Sequence, residues 1–301
     1  MADKIFVGTA SWAHTTLIKS GRFYPAEART PEQRLRFYAD QFPVVEVDSS
    51  FYGLPSYENS VLWSDATPDG FLFHVKLFRA FTLHQTPVKS LPSALRDEAA
   101  ARANRAGNVY YDGLPAEARD RLWQLFLEAL EPLRAAGKLG YLLLQLPPWA
   151  TKNRDRVAHV EDCLRRLEGY QLALEFRNAT WLSDRSRAST LAMLREWDLP
   201  MVIVDEPQGF SSSIPAVWEA TSPALSVVRF HGRNAAMWMK KGLPSSAQRF
   251  DYLYSEPELR EFVEPVRELA RRSKQVHAVF NNCYEDKAQV NARQFRELLG
   301  V

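Results

Sequence analysis

The chain has 301 residues, 46% of them hydrophobic, which is enough for one large α/β barrel or two ordinary domains and marks a globular protein. Lys and Arg number 38 against 36 acidic residues, so the net charge of +2 gives no global reason for binding nucleic acid or a membrane surface. The two cysteines, Cys163 and Cys283, stand far apart in unrelated contexts, which argues against a disulfide framework and a cysteine-built metal site.

The N-terminus, Met1-Ala2-Asp3-Lys4, leads at once into a strand with no signal-peptide core, and no apolar run approaches the roughly 20 residues of a membrane helix. A soluble, cytoplasmic protein with no membrane partner is expected. Ile5 to Ala10 reads as the first strand, ending in Ser11-Trp12. Thr30-Pro31-Glu32-Gln33 is a capping box with proline at the first helical position, and Leu35, Tyr38, Ala39 and Phe42 give that helix its apolar face. Val44 to Asp48 is the second strand, with Glu46 and Asp48 on one side, and a helix spans about Ser56 to Ala66. Phe71 to Leu77 is the third strand, with Lys76 at its end. Phe78 to Leu114 then reads as a long irregular excursion, and connections of that length are often lids.

The spacing of Leu122, Leu125, Phe126, Ala129, Leu130 and Leu133 predicts a helix over Pro115 to Ala136, closed by Gly137. Leu139 to Leu146 is an apolar strand interrupted only by Gln145 and stopped by Pro147-Pro148. Val157, Val160, Leu164 and Leu167 mark the next helix, Leu172 to Arg177 the fifth strand, Leu191 and Leu194 another helix, and Met201 to Asp205 the sixth strand. No helical period is found from Glu206 to Pro223. Val227 to Arg233 is the seventh strand, on which Arg229 and His231 share a face and Gly232 permits a sharp turn. A second long loop runs from Asn234 to Tyr254, a capped helix from Ser255 to Arg272, an eighth strand from Val276 to Phe280, and a last helix from about Asp286 to Leu299.

Eight strands alternating with helices and no linker between halves predict a single-domain α/β fold over residues 1–301, a (β/α)8 TIM-like barrel with long loops after strands 3 and 7. Parallel strands deliver their C-terminal ends to one face, so Glu46, Lys76, Gln145, Glu175, Arg177, Asp205, Arg229, His231 and Asn281 are expected around one mouth.

These endings carry a family resemblance. Val45-Glu46-Val47 with Phe51-Tyr52, Phe73-His74-Val75-Lys76, Leu144 to Pro148, Glu175-Phe176-Arg177 with Trp181, Arg229 to Arg233, Tyr252-Leu253-Tyr254 and Phe280-Asn281-Asn282 with Asn291-Ala292 together resemble the family called domain of unknown function 72, or YecE-like. The similarity covers nearly the whole chain and implies a TIM-like barrel, but brings no established reaction, substrate or cofactor. Two departures stand out. Ala10 precedes Ser11-Trp12, and Leu17 lies in the later region, where the family often has glycine before the tryptophan and a further tryptophan beyond. The family's adjacent Thr-His is spelled Thr82-Leu83-His84 here, which displaces His84 from the shared spacing.

Lys76, Arg177, Arg229 and Arg233 form a cationic group suited to a carboxylate or phosphate through forked, charge-assisted hydrogen bonds. Glu175 and His231 are the expected acid-base pair, with Glu46 and Asp205 as secondary candidates. Mutual salt bridges among these charges would also account for their placement. The four acid-base candidates could alternatively hold Mg2+, Mn2+ or Zn2+, but a single histidine and adjacent arginines count against it, and no metal or other cofactor is expected. The sequence has no Gly-Ser-Gly nucleophile elbow, no phosphate-binding glycine loop and no dinucleotide fingerprint. Trp63, Trp123 and Trp197 are read as core packing, whereas Trp12, Tyr52, Trp181, Trp238 and Tyr254 are available to stack on a sugar or base. With Gln145, Asn281 and Asn282 as further substrate contacts, the expected function is a cofactor-independent acid-base enzyme, a hydrolase or lyase, with a small anionic or sugar-containing ligand. The rivals are a metal-dependent phosphodiesterase or nuclease and a non-catalytic ligand- or nucleic-acid-binding barrel. Lys240 and Lys241 permit nucleic acid without favouring it.

Overall fold

A computed structural model describes residues 4–210, 212–243 and 245–301. Its eight main strands are β1 (Ile5–Ala10), β2 (Val44–Val47), β3 (Leu72–Lys76), β4 (Leu139–Gln145), β5 (Leu172–Glu175), β6 (Val202–Asp205), β7 (Leu225–Phe230) and β8 (Gln275–Phe280). Their side chains are almost all buried, as parallel strands covered by helices require. The sheet order is β5-β4-β3-β2-β1-β8-β7-β6, with every neighbouring pair parallel. First and last strands therefore pair in the middle of the sheet, Ile5 opposite Val276 through Thr9 opposite Phe280. The remaining edges, β5 and β6, meet through a single bridge between Leu174 and Met201, reinforced by Leu174 N–H donating to the Pro200 carbonyl at 2.9 Å. The result is the expected TIM-like barrel, nearly closed, with one thin seam.

Local chemistry sets the helices that wrap it. In Pro31–Gln41 the Thr30 side chain accepts from Gln33 N–H at 3.2 Å while Gln33 Oε1 accepts from Thr30 N–H at 3.0 Å, so both orphan donors are satisfied. From the same helix the buried Tyr38 hydroxyl accepts from Thr9 N–H and donates to the Val44 carbonyl, tying β1 to β2. Ser255 and Glu258 cap Glu256–Arg272 in the same manner. Among the described residues no helix stands between β6 and β7, in agreement with the missing period there. Within the described residues no helix is long and apolar enough to cross a membrane.

The excursion after β3 differs from expectation. It is not irregular: Thr86–Pro87 pairs antiparallel with Asn108–Val109, and Ser93–Ala100 is helical. Its apolar residues follow no single period because they pack outward against the helix Ala116–Ala135, where Phe81 stacks on Trp123 with ring centroids 3.6 Å apart and Phe78, Ala80 and Leu83 are buried. This is a packed buttress beside the mouth, not a lid. The loop after β7 holds a short helix, Ala235–Trp238, and a 3-10 turn, Ser246–Phe250. The strand expected to reach Arg233 stops at Phe230, because Gly232 adopts a left-handed φ of 84° and the chain turns against Tyr252, whose Cβ would lie 2.7 Å from any Cβ at this position.

Candidate functional site

Polar side chains enter the barrel in layers. Deepest are His74 on β3 and His277 on β8, joined by a 2.8 Å hydrogen bond between ring nitrogens, with His74 stacked on Tyr141 at 3.9 Å. Above them lies a fully buried ion cluster. Arg229 on β7 donates from Nη2 to Glu46 Oε1 at 2.6 Å and from Nη1 to Glu175 Oε2. Glu175 Oε1 also receives Arg177 Nη1 at 3.2 Å and faces His231 Nε2 at 3.3 Å, while Asn281 Nδ2 reaches His231 Nδ1 at 2.8 Å. With the Asn281 amide donating to Nδ1, the His231 proton sits on Nε2 and is directed at Glu175.

This geometry divides the two carboxyls. Burial opposes the charge on Glu175, yet Arg229, His231 and Arg177 together outweigh it and hold the group well below the usual carboxylate range. Burial pushes Glu46 up to about 7, because its share of Arg229 offsets desolvation only in part. Burial likewise depresses His231 to about 4 against the pull of Glu175, so the imidazole is neutral at pH 7.

Over this cluster opens a cavity of about 720 Å³. Lys76, Gln145, Arg177 and Asn281 project into it from strand ends, Asp48, Ser49, Phe51 and Tyr52 follow β2, and His14 and His84 complete the near walls. Trp238, Met239, Lys241, Arg249 and Phe250 cover it from the loop after β7. Lys76 Nζ lies 3.5 Å from Asp48 Oδ1 and 4.6 Å from the centre of the Phe51 ring. That Asp48 oxygen is buried and makes no hydrogen bond among the described residues. Arg177 is held over Trp238 at 5.1 Å, with Nη2 3.5 Å from the buried Glu206.

The family model described as "Protein of unknown function DUF72" matches residues 6–301. The chain belongs to the DUF72 family. It is 30% identical over 299 residues to the UPF0759 protein YunF of Bacillus subtilis (strain 168), covering 99% of this chain and 95% of that protein. The crystal structure of a DUF72 family protein from Thermotoga maritima MSB8 is 30% identical, with a TM-score of 0.76, covering 99% of this chain and 100% of the other. One from Enterococcus faecalis V583 is 26% identical, with a TM-score of 0.80, covering 99% and 96%.

In this DUF72 chain the residues expected at the mouth fall into four groups. Lys76, Gln145, Arg177, Asn281 and Tyr52 line the cavity. Glu46, Glu175, Arg229 and His231 lie beneath it, fully buried and hydrogen bonded to one another. Asp205 stands apart: Arg233 grips it with a fork of 2.9 to 3.1 Å contacts and Tyr254 donates to it at 2.6 Å, a cluster that ties β6 to the turn after β7. Trp12, Trp181 and Asn282 are structural neighbours of the mouth and do not line it. Trp12 packs edge-on to Trp63 at 5.4 Å, Trp181 stacks on Phe176 and donates its indole N–H to the Ala150 carbonyl at 2.7 Å, and Asn282 bonds the Tyr252 carbonyl and Asn291. Among the described residues no three His, Cys, Asp or Glu side chains form a metal-binding group, and the facing oxygens of Glu46 and Glu175 are directed at Arg229.

Sequence reasoning did not place Asp48, His14 or His84 in the site. Asp48 was the most accessible of these, since it follows Glu46 at the strand period and continues the same face one step nearer the mouth. His84 returns to the cavity despite the extra Leu83, which takes a left-handed φ of 65° and brings the imidazole back onto Thr82 at 2.8 Å.

The buried imidazoles make acid the weak side of the stability profile. His231, His84 and His277 are depressed to about 4, 3 and 3 by burial, and His74 falls well below its usual value. Each takes up a proton in the unfolded chain near pH ~6.5 but not in the folded one until much lower, so its contribution is complete above ~6.5 and is lost as pH falls. Glu46, raised to about 7, acts in the opposite sense and loses its contribution as pH rises through that value. Denaturant midpoints measured against pH are therefore expected to peak near neutrality and to decline from pH ~6.5 toward 4; a midpoint that rises on acidification through that window would contradict the burial of neutral histidines.

Proposed function

We propose that this barrel is an acid-base enzyme, a hydrolase or lyase, acting on a small anionic substrate held in the mouth cavity. The observation that carries the reading is the convergence of Lys76, Arg177 and Asp48 on one cavity, with a buried Asp48 oxygen free of hydrogen bonds among the described residues. Lys76 and Arg177 supply the charge-assisted donors for the anion. Asp48 is the carboxylate that a bound substrate can touch, and it has the spare acceptor capacity of a general base. Glu175 and His231 then act from below as positioning residues: the Glu175 carboxylate accepts from the Arg177 guanidinium and fixes where it meets the ligand, and His231 donates to that same carboxylate. Glu46 and Arg229 complete that platform.

The test is anion-dependent stabilisation. Phosphate, sulfate and small carboxylates are expected to raise the melting temperature of the wild-type protein by mass action, and Lys76→Met is expected to abolish most of the shift while keeping the fold. An equal shift in both proteins would remove Lys76 from the site. Stabilisation by a ligand that is never turned over would favour the non-catalytic barrel instead.

A further inference from the structure

Three rings on one side of the mouth, Tyr52, Phe51 and His84, continue outward to a fourth, Trp149. Tyr52 meets Phe51 edge to face at 5.2 Å, Phe51 meets His84 at 4.9 Å, and His84 meets Trp149 at 5.5 Å. The inner rings are anchored: Phe51 is buried under Lys76, and His84 is bonded to Thr82. The outer two are not: Tyr52, which lines the cavity, is 60% exposed, and Trp149, which adjoins the lining residue Pro148 and meets the wall through His84, is 56% exposed.

His84 adds a direction to this wall. The Thr82 hydroxyl lies 3.2 Å from the Arg79 carbonyl, to which it can only donate, so it accepts from His84 Nδ1. The Nδ1 nitrogen therefore carries the proton and Nε2 is a bare acceptor, with no hydrogen bond among the described residues, on a ring that lines the cavity. Burial, reinforced by the charges of Lys76 and Arg79, lowers the group to about 3 and keeps it an acceptor at neutral pH. The backbone of Leu83 that aims it is left-handed, a conformation strained in an L-residue and found where function fixes a side chain.

We propose that Phe51, Tyr52, His84 and Trp149 form a ring-binding subsite beside the anion site, and that the ligand is a hydroxylated sugar ring carrying a phosphate or carboxylate. The inference rests on the anion-binding reading above and specifies the rest of the molecule. Its anion meets Lys76 and Arg177, its C–H face lies against the exposed aromatics, and a ring hydroxyl donates to His84 Nε2. An aryl anion would fill the aromatic wall and leave Nε2 without a donor. A cavity of about 720 Å³ holds a sugar phosphate with room for water.

Calorimetric titration with inorganic phosphate, phenyl phosphate, glucose 6-phosphate, ribose 5-phosphate and glucuronate tests this on wild type, Trp149→Ala and His84→Leu. At least one of the three sugar anions is expected to bind about tenfold or more tighter than phosphate and phenyl phosphate, a margin of roughly one good contact. Trp149→Ala, which alters an exposed side chain, and His84→Leu are each expected to erase most of that margin while leaving phosphate affinity within about twofold. Phosphate binding with no gain for any sugar anion would overturn the ring subsite and leave the anion site standing. Phenyl phosphate binding tightest of all would overturn the sugar assignment, and no binding of any of the five anions would remove the anion reading itself.

Discussion

Replacing Arg229 by leucine is expected to cost the folded protein about 3–5 kcal/mol, because it strands two carboxyls at the bottom of the mouth without their shared cation. Arg229, Glu46 and Glu175 are each fully buried, and the guanidinium is the only cation touching Glu46 among the described residues. The loss should appear as a lower urea midpoint with little change in the denaturant slope. Adding Glu46→Gln and Glu175→Gln to Arg229→Leu should recover part of it, since the penalty lies in the unpaired charges more than in the absence of an arginine. A midpoint equal to wild type for the single variant would mean that these groups are hydrated in solution and that the cluster is not the closed layer described above. Glu175→Gln alone should destabilise as well and loosen Arg177, so turnover has to be referred to folded protein before Glu175 is assigned any share in the chemistry.

Asp48→Asn is expected to lower turnover by about 10²-fold or more, the usual scale for a lost general base. Its stability should be close to wild type, because among the described residues the oxygen concerned makes no hydrogen bond and the cation beside it, Lys76, stands 3.5 Å away. Ligand affinity should be unchanged or improved, since a negative charge is removed from beside the anion subsite. The measurement is a separate determination of Kd and of turnover on whichever anion stabilises the protein. Weakened binding with turnover per bound ligand unchanged would make Asp48 a binding group and leave the base unassigned.

The barrel was legible in the chain because its signals are local. Capping residues at Thr30 and Ser255, proline stops after Leu146 and apolar strand runs each follow from one segment's own chemistry. The polar strand ends were legible too, but their depth was not. The period of two assigns Glu46 and Glu175 to an inward face, whereas whether such a face meets ligand or neighbouring strands depends on stagger around the barrel, which no single strand encodes. Asp48 lies just two residues beyond Glu46 and reaches the cavity, while Glu46 is sealed below it. His84 depended on a left-handed leucine, a conformation with no compositional signature. The packed excursion after β3 was not legible, because Phe81 answers to Trp123 and Phe126 on a helix more than thirty residues away and carries no period of its own.

The thin seam between β5 and β6 gives Arg177 a second duty. One backbone bridge joins these strands, yet just past their ends Arg177 reaches across to Glu206, so the split is stitched at its rim by side-chain charge. The same guanidinium faces the cavity. The wall of the barrel and the lining of its mouth therefore share one side chain, at the place where the sheet is joined most thinly.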